Sequence, residues 1–105
     1  MSKKLNPIHP GEQLREEFMI PLGLSSNALA RALNVTPARI NEIARGRRGI
    51  SADTALRLAR FFDTSHQFWL NLQSNYDVQC AEDIAGNLIA DIKPWAGTGR
   101  QMVIG

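Results

Sequence analysis

The chain has 105 residues, 44% of them hydrophobic and 21% charged, the length and composition of one soluble globular domain, which excludes disordered and collagenous classes. No apolar run approaches the roughly 18–20 residues that cross a bilayer, and the N-terminus lacks the charged-then-apolar order of a signal peptide, so no membrane contact and a cytoplasmic location are expected. The net charge of +2 hides a polarity: residues 1–30 balance, residues 31–60 hold seven Arg against Glu42 and Asp53, and residues 61–105 hold Lys93 and Arg100 against Asp63, Asp77, Glu82, Asp83 and Asp91, a basic middle suited to a polyanion and an acidic C-terminal part suited to another task.

Helix signals run along most of the chain. His9-Pro10 opens the first, with proline where its missing N–H costs nothing and Glu12, Glu16 and Glu17 near the favourable N-terminal end. Leu14 and Phe18 face one core, and Pro21 with Gly23 is expected to end this helix near Met19. Ser25 or Ser26 caps a second segment carrying Leu29, Ala30 and Leu33 at helical spacing. Asn34 sits where the chain must turn, since asparagine tolerates the left-handed conformation.

Thr36-Pro37 restarts a helix with Ile40 and Ile43 inward, and Gly46 stops it. Ser51 caps a fourth helix whose stripe is Ala55, Leu58, Ala59 and Phe62; Ser65 caps a fifth with Trp69, Leu72 and Tyr76 at spacings of three and four. Five helices over about residues 10–79 are therefore expected. The stretch 81–105 is less regular: Ile84, Leu88 and Ile92 suit one more short helix, Pro94, Gly97 and Gly99 end it, and Met102 to Ile104 is the one run with strand character. The expected class is all-α, with a domain over 1–80 and a C-terminal extension over 81–105.

Ser26 to Arg45 carries the function. A small residue where two helices cross (Ala30), a turn residue that accepts positive φ (Asn34), and Val35, Ile40 and Ile43 packing the second helix onto the first make helix-turn-helix spacing. In that geometry the second helix enters a DNA major groove and the first lies across the backbone. With Ile40 and Ile43 inward, Thr36, Pro37, Ala38, Arg39, Asn41 and Glu42 are the base-reading candidates. A guanidinium pairs with guanine and a carboxamide with adenine, while Glu42 either accepts from cytosine or orients Arg39 or Arg45. Ser26, Asn27, Arg45, Arg47 and Arg48 are the phosphate-binding candidates, the last three around Gly46 and Gly49. Arg31, Arg57 and Arg60 either extend this patch or decorate a solvated face.

Three blocks narrow the reading: Ile8-His9-Pro10-Gly11-Glu12 with Leu14-Arg15-Glu16-Glu17-Phe18; Pro21-Leu22-Gly23-Leu24-Ser25; and Phe68-Trp69-Leu70-Asn71-Leu72-Gln73. With the helix-turn-helix they resemble the lambda-repressor-like (XRE-type) domains, five-helix DNA-binding modules, and within these the HigA/VapI antitoxins of bacterial toxin–antitoxin operons. The resemblance covers about residues 6–80. It implies a homodimer that represses its own operon on double-stranded operator DNA and neutralises a RelE-like toxin, a small basic ribonuclease that cleaves messenger RNA. The family's reading helix maps onto Thr36 to Arg45. Asn34 stands where glycine is commoner, and the tail after Cys80 matches no family pattern, so toxin contacts are not carried over.

The remaining residues divide between packing and partners. Trp69, Leu72 and Tyr76 are expected in the core, whereas Phe68 and Leu70 fall off that stripe and are the candidate dimer interface. His9 is expected to cap or pack and Cys80 to be a small buried side chain. Cys80 makes no internal disulfide, and with His9 and His66 it forms no set at zinc spacing, so no metal and no cofactor are expected. The acidic groups Glu12, Glu16 and Glu17, or Asp77, Glu82 and Asp83, either hold a basic protein or are ordinary surface charge.

An antitoxin and autorepressor leads; a free-standing regulator with the same DNA chemistry and an adaptor with a vestigial motif are the alternatives. An enzyme is the least expected class, since no paired carboxylates, nucleophile with histidine or Gly-rich phosphate loop is evident.

Overall fold

The computed structural model describes residues 6–96; the expected strand character at Met102 to Ile104 lies outside them. Five helices follow one another, and no strand occurs among the described residues. The first, α1, spans residues 10–22 and is built from a regular turn (Pro10–Leu14), a wide π turn (Arg15–Met19) and a last regular turn (Ile20–Leu22). Then come α2 (Ser26–Leu33), α3 (Pro37–Ala44), α4 (Ala52–Phe62) and α5 (His66–Ala90).

The expected caps are in place: Ser25, Thr36, Ser51 and Ser65 each accept a backbone N–H three residues on, and His9 accepts from Gly11. Two boundaries differ from expectation. Helix α1 does not end near Met19. The N–H of Ile20 donates five residues back to Arg15, and this widened turn lies just ahead of Pro21, whose ring would otherwise meet the carbonyl four residues before it. The helix then runs to Leu22 and ends at Gly23, φ +67°. Helix α5 does not stop near residue 79 before a separate short helix. Nothing from Gln79 to Ile84 breaks it, so it bends at Ala85 (φ −127°, ψ 15°), beside Gly86, and continues to Ala90.

Leu14, Leu29, Ile40, Ile43, Leu58 and Trp69 are fully buried at the centre, one or more from each helix. Each such side chain contributes about 1.5–3 kcal/mol by leaving water. Trp69 sits tilted against Phe18 with ring centroids 4.9 Å apart, and its indole N–H donates to Thr64 Oγ1 at 2.7 Å, so the largest core side chain leaves no polar atom unmet. Cys80 is half-buried rather than buried, because it lies on α5 beyond the core. A hydrogen bond between Cys80 and Tyr76 pushes the Tyr76 phenol above its usual range. Among the described residues no helix is long and apolar enough to cross a membrane.

Candidate nucleic-acid interface

The crossing of α2 and α3 follows from the residues between them. Asn34 takes the left-handed conformation (φ 62°, ψ 45°), and the N–H of Val35 returns to the carbonyl of Ala30 at 2.9 Å. Ala30 is fully buried where the helices meet. Thr36 Oγ1 accepts the N–H of Arg39 at 3.2 Å, and Pro37 begins α3. With Ile40 and Ile43 buried, α3 presents Pro37, Ala38, Asn41 and Arg45 to solvent, with Thr36 just before it and Arg47 and Arg48 just after it also exposed. Asn27 is exposed and Ser26 half-buried on the first turn of α2.

Arg39 and Glu42 are less free than their spacing suggests. Arg39 is half-buried and donates from Nη1 to Asp53 Oδ2 at 2.8 Å and to Thr54 Oγ1 at 3.3 Å. Glu42 pairs with Arg48 at 2.9 Å, a partner not foreseen among those weighed for it. Two guanidiniums, first Arg39 and then Arg57, hydrogen-bond the Asp53 carboxylate and hold it below the usual carboxylate range. Arg39, Arg48 and Arg57 with Ser51, Thr54 and the Asp53 carboxylate wall a recess of about 540 Å³ beside α3, in which Asp53 already occupies Arg39 and Arg57.

Four residues that set this surface escaped local pattern reading. Arg15 donates from Nη1 to the carbonyl of Ala44 at 2.7 Å and so caps the C-terminus of α3. Gly11 lies so close to α3 that a Cβ there would collide with the carbonyl of Ile43. Gln73 on α5 accepts the N–H of Ile50 at 2.6 Å and packs beside Gly49, fixing the loop that carries Arg47 and Arg48. Arg57 is half-buried and already engaged, donating to the carbonyls of Leu33 (2.9 Å) and Asn34 (3.3 Å) as well as to Asp53. Apart from the pair of Arg57 with Asp53, the contacts just named span 23 to 32 residues of sequence, beyond the reach of helical periodicity; the signal available was that Gly11 and Arg15 belong to the Ile8 to Phe18 block and Gln73 to the Phe68 to Gln73 block.

Phe68 and Leu70 do not share one exposed patch. Phe68 is exposed and stands edge-on to Trp69 at 4.9 Å, whereas Leu70 packs against the core.

A helix-turn-helix family model (HTH_3) matches residues 13–69. Virulence-associated protein I of Dichelobacter nodosus is 63% identical over 75 residues, 71% of this chain and 69% of that protein. Among solved structures, the Pseudomonas aeruginosa antitoxin HigA with the higBA promoter is 54% identical, with 84% of this chain and 97% of that one covered and a TM-score of 0.81. The antitoxin GraA in complex with its operator is 46% identical, with 92% and 99% covered and a TM-score of 0.82.

Proposed function

This chain belongs to the HigA/VapI family of XRE-type helix-turn-helix proteins, and we propose that it is a homodimeric DNA-binding antitoxin that represses its own operon and neutralises a RelE-like ribonuclease in the cytoplasm. The observation that carries the DNA reading is the solvent-facing surface of α3, with Asn41 and Arg45 exposed between a capped N-terminus at Thr36 and the Arg47-Arg48 loop.

On this reading α3 enters the major groove by its N-terminal half. Asn41 pairs with adenine and Arg39 with guanine, and Thr36, Pro37, Ala38 and Glu42 shape the contact around them. Arg45, Arg47 and Arg48 neutralise phosphates on one side, and Ser26 and Asn27 meet the backbone from α2. Two copies place their α3 helices roughly 34–36 Å apart, one turn of DNA, on a near-palindromic operator. The chain performs no bond chemistry; the toxin is silenced by being covered or held out of position.

Titration of a duplex from upstream of the chain's own reading frame tests the DNA reading. The expected result is an affinity about 10³-fold or more above that for a scrambled duplex at physiological salt; equal affinities overturn it. Co-expression with the product of the adjacent reading frame tests the rest. Growth rescue with a stable complex supports the antitoxin, and DNA discrimination without rescue assigns a free-standing regulator instead.

A further inference from the structure

We propose that the groove between α2 and α4 is a binding site for a small amphipathic carboxylate, one with a medium-length apolar body, and that its occupation tightens operator binding. The site stands without the DNA reading; the effect on the operator rests on it.

The groove has a volume of about 500 Å³, within the range of about 300–1,000 Å³ usual for small-molecule sites. Helix α2 contributes Ala32 and Leu33, and α4 contributes Leu56, Arg57, Arg60 and Phe61. Leu56 is 57% and Phe61 42% exposed, so two large apolar side chains meet water beside two guanidiniums. Phe61 is held in place: its ring stands edge-on to Phe62 at 4.9 Å, and Phe62 packs on the core. An apolar body laid along this wall takes both side chains out of water.

Charge selects the occupant. Arg60 has no hydrogen bond or ion pair among the described residues. Arg57 uses Nε on Asp53 and Nη1 on the carbonyls of Leu33 and Asn34, which leaves Nη2 without a partner among the same residues. The carboxylate already in the groove, Asp53, is taken up by Arg39 and Arg57. Spare guanidinium donors next to an apolar wall match a carboxylate carried on a hydrocarbon body. A second copy meeting itself here would set Arg57 and Arg60 against their counterparts, and a basic protein would be repelled in the same way. A bare phosphate would meet the charge and leave Leu56 and Phe61 in water.

The groove is tied to the reading surface. Asp53 and Arg57 line it and also line the recess beside α3 that contains Arg39. A ligand seated on both α2 and α4 reinforces the join that Arg57 already makes to the end of α2, and so favours the arrangement that aims α3. Coupling of this kind is reciprocal, so ligand and operator should tighten each other by the same factor.

Backbone amide NMR of the full chain, titrated with sodium octanoate and with phenylbutyrate, tests the site; octanol and inorganic phosphate serve as the two partial matches. At least one of the carboxylates is expected to give saturable shifts centred on residues 32–33 and 56–61, with a Kd of about 1 mM or tighter. Octanol and phosphate should bind about fivefold or more weakly, and Arg60→Gln should weaken the carboxylate about tenfold. Arg60 is exposed, so its replacement leaves the core untouched. Absence of saturable shifts with both carboxylates, shifts centred on residues 84–95 instead, or wild-type affinity in Arg60→Gln overturns the site. Operator titration at saturating carboxylate should then show about fivefold tighter binding in wild type and no change in Arg60→Gln. Operator affinity unchanged or weakened in wild type overturns the coupling. A wild type that does not discriminate operator from scrambled duplex, with or without carboxylate, overturns the DNA reading and the coupling together, and the amide shifts still decide the site.

Discussion

Asp53 binds Arg39 and Arg57 through the same carboxylate oxygen, at 2.8 and 2.9 Å. Arg39 stands in the first turn of α3, and Arg57 reaches on to the carbonyls that end α2. One acidic side chain thus links α2, α3 and α4, the three helices whose mutual angles aim the reading surface. It is also the nearest negative charge to any phosphate approaching Arg39.

Replacing Asp53 by Asn therefore separates positioning from charge. Arg39 loses its anchor while the surface becomes more positive, so binding to scrambled DNA is expected to hold or rise and discrimination for the operator to fall about tenfold, within the range of one good base contact. Paired titrations of operator and scrambled duplex measure both. An unchanged ratio shows that Arg39 reads no base.

Arg47 and Arg48 follow the turn at Gly46, whose φ is +78°. Replacing both by Ala should weaken binding to every sequence alike and reduce the salt slope by about one unit per lost phosphate contact. Arg48 is paired with Glu42 in the free protein, so the single variant Arg47→Ala is expected to show the cleaner loss. A slope unchanged in the double variant removes the loop from the phosphate contacts.

The helix-turn-helix was legible because its determinants are local. Ala30, Asn34 and Thr36 act through bonds to residues three to five positions away, the distance over which caps and periodicity speak. Asp63 took the left-handed C-cap of α4 (φ 59°) without being singled out, since aspartate at such a site looks like any surface acid. What stayed hidden was tertiary. The sequence marks Arg39 as a donor but not that Asp53, on another helix, claims it; nor does the spacing reveal that Arg15 caps α3, or that α5 outruns the core it helps to fill. The stripe at Ile84, Leu88 and Ile92 was visible as a helix signal, but only the fold shows that nothing in the same chain covers it.

Gly11 is where α1 meets the reading helix. A Cβ at this position falls inside the contact distance of the Ile43 carbonyl, which is backbone and cannot rotate away. Gly11→Ala is therefore expected to cost at least the upper part of the about 1–3 kcal/mol typical of overpacking. The displaced α3 should also lose operator affinity beyond what reduced stability explains. Urea denaturation gives the first quantity and titration of the folded fraction the second; a variant as stable as wild type contradicts the packing.

His9 couples stability to pH through the N-cap of α1. Its Nδ1 accepts the N–H of Gly11 at 2.8 Å, and its ring lies edge-on to Tyr76 at 4.8 Å. Burial lowers its pKa, with the Asp77 carboxylate pulling the other way, and protonation of Nδ1 removes the cap's acceptor. As pH falls, the unfolded chain takes up this proton first. The contribution is thus complete above the unfolded value of about 6.5 and is lost as pH drops through the lower folded value. His9→Asn keeps a capping oxygen that does not titrate. Unfolding free energies measured by urea denaturation from about pH 7.5 to 5 should fall more steeply for wild type than for His9→Asn, by up to the about 0.5–2 kcal/mol a cap is worth; parallel curves would place the acid sensitivity elsewhere.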